Sequence, residues 1–148
     1  MIEERHSNSI EILLVEDSPG DQRLTREALK EGKINNNLYI VEDGEEALAF
    51  LRKEGTFSTV PRPDLILLDL NLPKMNGQEV LEIIKQDEKL KRIPVVILTT
   101  SQADEDILKA YNLNANCYIT KPVDFDQFSH VVKKIQEFWF TIVRLPED

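Results

Sequence analysis

The sequence contains few of the residues that build covalent or zinc-based scaffolds: one cysteine, Cys117, and two histidines, His6 and His130. A single cysteine excludes an internal disulfide and is typical of a reducing compartment, so we expect a cytoplasmic protein. A structural zinc site needs several of these residues close together, and here each is isolated in the chain. The sequence therefore supports neither a disulfide scaffold nor a zinc module.

Basic residues are also scarce, with 18 Lys and Arg against 27 Asp and Glu and a net charge of −9. Such an excess of negative charge repels phosphate backbones, so we expect no nucleic-acid partner. The apolar runs are far shorter than the roughly 20 residues that span a bilayer, so we expect no membrane partner. The acidity itself has two open interpretations, solubility or cation binding, and the positions of the carboxylates decide between them.

Short apolar segments alternate with helix-like segments along the 148 residues, a length that fits one domain. The apolar segments are rich in Val, Ile and Leu with little alternation, which is typical of parallel strands buried on both faces. The predicted strands are residues 10–16, 37–42, 64–69, 95–100 and 117–120, and the predicted helices are 20–31, 44–54, 77–87, 104–113 and 125–140. This pattern predicts an α/β fold: a five-stranded parallel sheet of order 2-1-3-4-5 with helices on both faces.

Polar residues follow several of the predicted strands at the point where each ends. Glu16 ends the first strand and Asp17 follows it, and Asp69 ends the third strand. Thr99 lies at the end of the fourth strand, and Lys121 follows the fifth. Because the carboxyl ends of parallel strands meet at one edge of a sheet, we expect these side chains to converge. Crowded carboxylates repel one another unless a cation neutralises them, and oxygen ligands favour Mg²⁺. Any one of these residues alone would be an ordinary strand end.

Four motifs resemble those of the receiver domain of two-component response regulators and occur in that family's order and spacing. They are "VED" (15–17), "DLNLPKMNG" (69–77), "ILTTS" (97–101) and "YITKP" (118–122). The resemblance covers about residues 9–137 and implies the flavodoxin-like receiver fold. We therefore expect residues 1–148 to form a single receiver domain, with 1–8 a polar tail and 138–148 an apolar extension. Gly77 ends the turn after Asp69, where an unusual backbone angle would suit glycine.

The resemblance implies a phosphorylation site at Asp69. This residue matches the aspartate that accepts a phosphoryl group from a sensor histidine kinase. Asp17, Asp69 and the backbone carbonyl of Asn71 match the direct ligands of Mg²⁺, and Glu16 matches a residue that acts through a metal-bound water. Mg²⁺ is thus the expected cofactor.

The resemblance also implies how phosphorylation is sensed. Thr99 and Lys121 match the hydroxyl and the amine that bind the phosphoryl oxygens. Thr99 and Tyr118 match the pair whose rearrangement changes the face formed by the fourth helix, the fifth strand and the fifth helix.

The C-terminal segment carries more apolar surface than one helix face can bury on its own chain. We therefore predict a homodimer through this segment. The predicted interface residues are Phe138, Trp139, Phe140, Ile142 and Val143. Together with the long connector at 54–63, this segment resembles the single-domain regulators that are paired with phytochrome histidine kinases of cyanobacteria and other bacteria.

Two other functions remain to be compared with a signalling receiver. A Mg²⁺-dependent phosphohydrolase can also use an aspartyl nucleophile, but its acid/base would be a second aspartate at the position of Asn71. We therefore predict no enzymatic activity beyond self-phosphorylation and slow self-dephosphorylation. A phosphorylation-independent adapter would not need suitable residues at every phosphorylation position, and here every such position has one.

Overall fold

The structure, a computed structural model, describes residues 9–31, 35–100, 117–121, 123–124 and 126–130. The strands are β1 (Ile10–Val15), β2 (Asn36–Val41), β3 (Leu65–Asp69), β4 (Val95–Thr99) and β5 (Cys117–Thr120). The helices are α1 (Pro19–Glu31), α2 (Gly44–Leu51) and α3 (Gly77–Gln86), with a 3₁₀ turn at Gly55–Phe57 and helical residues at 126–130. Three predicted segments lie wholly or partly outside the described residues. They are the tail at 1–8, the helix at 104–113, and the last helix at residue 125 and residues 131–140.

All five strands pair in parallel in the order β2-β1-β3-β4-β5, which confirms the predicted sheet. In this register Val15 lies beside Leu68, and Asp69 lies beside Leu98. The last residues of the central strands are therefore level with one another. Polar residues at or just after these ends share one edge of the sheet.

The sheet separates two apolar clusters, because successive strand residues point to opposite faces. On one face α2 and α3 pack against the sheet, with Phe50 of α2 and Leu81 of α3 buried. On the other face α1 and the helical residues 126–130 do the same, through Leu29 and Phe128. All five residues of β3 are buried, so the strand that ends in Asp69 lies in the middle of the core.

Helix α2 ends at Leu51, three residues before the predicted end at 54. Lys53 adopts a left-handed backbone angle, with φ of 56°, and breaks the helix there. The N–H of Lys53 then donates to the carbonyl of Phe50, and the N–H of Glu54 donates to the carbonyl of Ala49. These two bonds form a Schellman ending, which satisfies carbonyls that the helix leaves open.

The connector at 54–63 packs on the core. Its Phe57 ring lies 5.3 Å from the ring of Phe50, which in turn lies 5.6 Å from Tyr39. Val60 is partly buried against the same cluster.

Among the described residues, no helix is both long enough and apolar enough to cross a membrane.

Candidate functional site

Asp69 is the last residue of β3, and its side chain is almost fully buried at the edge of the sheet. Its Oδ1 accepts a hydrogen bond of 3.1 Å from the backbone N–H of Asn71. This bond fixes the orientation of the carboxylate and leaves Oδ2 for other partners. Asn71 thus adjoins the site as predicted, while metal binding by its carbonyl stays a prediction.

Gly77, the first residue of α3, lies directly against the backbone of Asp69. A Cβ atom at this position would be 2.3 Å from the carbonyl oxygen of Asp69 and 2.6 Å from Cα of Leu70. The left-handed backbone angle in this turn belongs to Lys74, with φ of 63°, and not to Gly77. The prediction for Gly77 was therefore wrong in its reason, since glycine is needed for close packing of two backbone segments.

Glu16 and Asp17 follow β1 and lie beside Asp69. Glu16 is completely buried, whereas Asp17 is exposed. Oε2 of Glu16 accepts a hydrogen bond of 3.2 Å from the backbone N–H of Ser18. One carboxylate oxygen from each of Glu16, Asp17 and Asp69 lies within 4.8 Å of the other two. The structure thus brings together the three carboxylates that the strand ends predicted.

The electrostatics of this carboxylate triad (Glu16, Asp17 and Asp69) fit a divalent cation. Burial, followed by the negative charge of Asp69, raises the pKa of Glu16 to about 7. The ionised form of Glu16 is therefore unfavourable even with the Lys121 ammonium nearby, and a divalent cation at the triad would favour ionisation. Three converging oxygen donors are the type of ligand set that hard divalent cations prefer, so these residues fit the expected metal.

Lys121 follows β5, and the bond from its backbone N–H to the carbonyl of Thr99, 2.7 Å long, holds it at the same edge. Its Nζ lies 3.2 Å from Oδ2 of Asp69, 3.0 Å from Oε1 of Glu16 and 2.9 Å from Oδ2 of Asp21. Burial lowers the pKa of Lys121, but these contacts outweigh burial and raise the pKa above the usual lysine value. The ammonium is therefore held in its charged form.

Asp21 contacts the site, although the sequence pattern did not predict it. It lies in the first turn of α1, four residues after Asp17. Acidic residues are common in a first helical turn because they interact favourably with the helix dipole. Its position alone therefore gave no signal that its side chain reaches Lys121.

The two predicted switch residues lie on neighbouring strands. Thr99 ends β4, is almost fully buried and pairs in register with Thr120. Tyr118 on β5 is half-buried and packs against the apolar cluster on the α2 and α3 face. The predicted interface residues lie outside the described residues; these are Phe138, Trp139, Phe140, Ile142 and Val143.

Comparison with known proteins identifies relatives of this site and fold. The chain is 51% identical to response regulator Rcp1 of Synechocystis sp. over 135 residues, which are 91% of this chain and 92% of Rcp1. The crystal structure of the Mn(2+)-bound form of Rcp1 matches with a TM-score of 0.72 at 50% identity, covering 93% of this chain and 99% of that one.

Two further solved structures are similar over most of their length. The phosphorylated cyanobacterial phytochrome response regulator RcpA is 52% identical, with a TM-score of 0.74 and coverage of 89% of this chain and 94% of that one. The bacteriophytochrome response regulator AtBRR is 40% identical, with a TM-score of 0.81 and coverage of 88% and 94%. The "Response regulator receiver domain" family matches residues 12–133. With its acidic triad, its lysine and its parallel sheet, the chain belongs to the receiver domain family of two-component response regulators.

Proposed function

We propose that Asp69 accepts a phosphoryl group from a sensor histidine kinase in a reaction that requires Mg²⁺. The observation that carries this proposal is the convergence on Asp69 of one ammonium and two further carboxylates. Nζ of Lys121 lies 3.2 Å from Oδ2 of Asp69, and oxygens of Glu16 and Asp17 lie within 4.8 Å of an Asp69 oxygen. A nucleophile, a cationic group and a set of cation ligands thus occupy one small volume.

Each residue of the site has a separate role in phosphoryl transfer. An oxygen of Asp69 forms the new bond to phosphorus while the bond from phosphorus to the donor breaks. Lys121 neutralises charge on the phosphoryl oxygens. Mg²⁺, when held by Asp17, Asp69 and the carbonyl of Asn71, with Glu16 acting through water, supplies the remaining positive charge. The hydrogen bond from Asn71 N–H keeps the other Asp69 oxygen in place.

The relatives support the choice of kinase. RcpA is a cyanobacterial phytochrome response regulator and AtBRR is a bacteriophytochrome response regulator. We propose a phytochrome-type histidine kinase as the partner of this chain and light signalling as its context. Residues 1–148 would act as one receiver domain in the cytoplasm.

The output would be a change of surface on phosphorylation. Thr99 would move towards the phosphoryl group, and Tyr118 would turn inward and change the surface for a partner. The apolar residues at 138–143 would hold two copies of the chain together. Support for the switch comes from the position of Thr99, buried at the same sheet edge as Asp69.

Intact-mass measurement after incubation with acetyl phosphate and Mg²⁺ tests the proposal. We expect a gain of one phosphoryl group, lost in Asp69→Asn. Asp64→Asn is the matched control, because Asp64 lies just before the same strand at the opposite end, where Oδ2 accepts from Glu11 N–H at 2.9 Å. The control should keep the mass gain. No gain in the unaltered protein would refute phosphorylation at this site.

The same incubation separates a receiver from a phosphohydrolase. Transfer to Asp69 releases acetate from acetyl phosphate, and inorganic phosphate appears only when the aspartyl phosphate is hydrolysed. A receiver hydrolyses this intermediate slowly, so phosphate release should be slow and should follow the loss of the phosphoryl group from Asp69. Rapid multiple turnover that Asp69→Asn abolishes would instead make the chain an enzyme.

A further inference from the structure

Among the described residues, three carboxylates contact the Lys121 ammonium: Asp21 at 2.9 Å, Glu16 at 3.0 Å and Asp69 at 3.2 Å. The side chain of Asp21 is one-third exposed, whereas those of Glu16 and Asp69 are almost fully buried. Its position is fixed by the start of α1, where the Asp21 N–H donates to Oγ of Ser18 at 3.3 Å. Asp21 thus presents a carboxylate to Lys121 from a rigid helical turn.

The three carboxylates that contact Lys121 in the described part of the chain differ in their other contacts. Glu16 and Asp69 belong to the carboxylate triad, in which oxygens from three residues lie within 4.8 Å of one another. In the part of the chain that the structure describes, Asp21 is not a member of that group. A cation held by the triad therefore competes with Lys121 for Glu16 and Asp69, but leaves Asp21 to the ammonium.

We propose that Asp21 is a positioning residue for Lys121. It holds the ammonium at the site when the oxygens of Glu16 and Asp69 are engaged by a divalent cation and a phosphoryl group. The proposal rests on the function proposed above and adds a residue to it. The preference of helix starts for acidic residues explains an aspartate at position 21, but it does not explain a 2.9 Å contact with Lys121.

The consequence concerns cation affinity. Without the Asp21 carboxylate, the described carboxylate partners of Lys121 are the two that also bind the cation. The ammonium then competes more strongly with the cation for them, so removal of a residue outside the triad weakens cation binding. The effect depends on Lys121, since Asp21 acts through the ammonium.

A double-mutant cycle on cation binding tests this dependence. Isothermal titration calorimetry with Mg²⁺ at pH 8 would compare the unaltered protein, Asp21→Asn, Lys121→Met and the double variant. We expect Asp21→Asn to raise the Kd for Mg²⁺ about fivefold when Lys121 is present. In the Lys121→Met background the same change should alter the Kd less than twofold.

Two controls separate positioning from a general charge effect. Glu27→Gln removes one charge from an exposed position on the same helix and should leave the Kd unchanged. Asp21→Glu restores a carboxylate and should recover part of the affinity. An equal loss in both Lys121 backgrounds, or no loss in either, would overturn the proposal.

Phosphorylation kinetics give a second readout. At saturating Mg²⁺, Asp21→Asn should lower the maximal rate of phosphorylation by acetyl phosphate severalfold, because the ammonium is less well placed for the phosphoryl oxygens. An unchanged maximal rate would count against Asp21 as a positioning residue. If Asp69 accepted no phosphoryl group at all, the proposed function would fail, while the binding cycle would still report whether Asp21 acts through Lys121.

Discussion

Glu16 is the residue whose charge depends most directly on the fold. Burial and the charge of Asp69 raise its pKa from 4.5 to about 7, so the folded protein favours its protonated form. The resulting stability is fully present below pH 4.5, the unfolded value, and is lost as the pH rises through about 7. The expected contribution is about 3 kcal/mol.

Urea denaturation in a metal chelator across pH 4 to 8 would measure this contribution. The unfolding free energy of the unaltered protein should fall with rising pH relative to that of Glu16→Gln, which cannot ionise at this position. Glu45→Gln, at an exposed position of α2, should follow the unaltered protein. Parallel curves for Glu16→Gln and the unaltered protein would show that Glu16 does not titrate in this range.

Gly77 is the residue at which packing most directly protects the site. Because the obstructing atoms belong to the backbone of Asp69 and Leu70, Gly77→Ala cannot be accommodated by a side-chain rotation. We expect a loss of about 2–3 kcal/mol in unfolding free energy and slower phosphorylation of Asp69.

The matched control for this change is Gly20→Ala, where the nearest atom to the new Cβ is Oγ of Ser18, at 3.9 Å. Alanine in helix α1 should leave stability equal or slightly higher. Equal behaviour of the two variants would contradict the close-packing explanation.

The position of a single residue at the site was predictable where the residue lies at the end of an apolar strand. Asp69, Glu16 and Lys121 follow apolar runs, and the parallel sheet aligns the ends of those runs. Asp21 and Gly77 were not predictable in the same way. The contact of Asp21 depends on the direction of a side chain across a helical turn, and the constraint on Gly77 depends on how closely α3 approaches β3.

At the scale of elements, α3 has a capping box. The side chain of Asn76 accepts from the N–H of Glu79 at 3.0 Å, and the side chain of Glu79 accepts from the N–H of Asn76 at 3.1 Å. Asn76→Ala removes the cap and should cost about 1 kcal/mol of unfolding free energy in urea denaturation. Glu82→Ala, at an exposed position within the same helix, should cost less. A smaller loss for Asn76→Ala than for Glu82→Ala would contradict a stabilising cap.

Strands were predicted to within a residue at each end, because buried parallel strands consist of unbroken apolar runs. The end of α2 was harder to predict. The chain turns at Lys53, and lysine gives no sign of a left-handed angle. Gly55, the residue type that usually marks such an ending, lies two residues further along the chain.

At the scale of the whole molecule, the proposed dimer is open to a direct test. Trp139→Asp combined with Phe140→Asp places charge in the apolar segment and should shift the molar mass in size-exclusion chromatography with light scattering towards a monomer. Leu24→Asp is the control, since Leu24 is a large apolar residue of α1 with 40% exposure. A monomer in the unaltered protein at micromolar concentration would end the dimer proposal.

The overall architecture was predictable because the same sequence pattern, an apolar strand followed by a helical segment, repeats along the chain. Each strand is followed by a segment with helical periodicity, and right-handed crossovers limit the possible strand orders. The packing of the 54–63 connector was not predictable, since Phe57 finds its partners in Tyr39 and Phe50, which come from two other elements.

The site draws its groups from β1, β3 and β5, and Asp69 is separated from Lys121 by 52 residues of chain. Contacts between residues so far apart in the chain form only after the intervening strands have paired in the sheet. A partly folded chain therefore has an aspartate but no assembled acceptor. Phosphoryl transfer to Asp69 would then label only those chains in which β1, β3 and β5 already lie in the folded sheet.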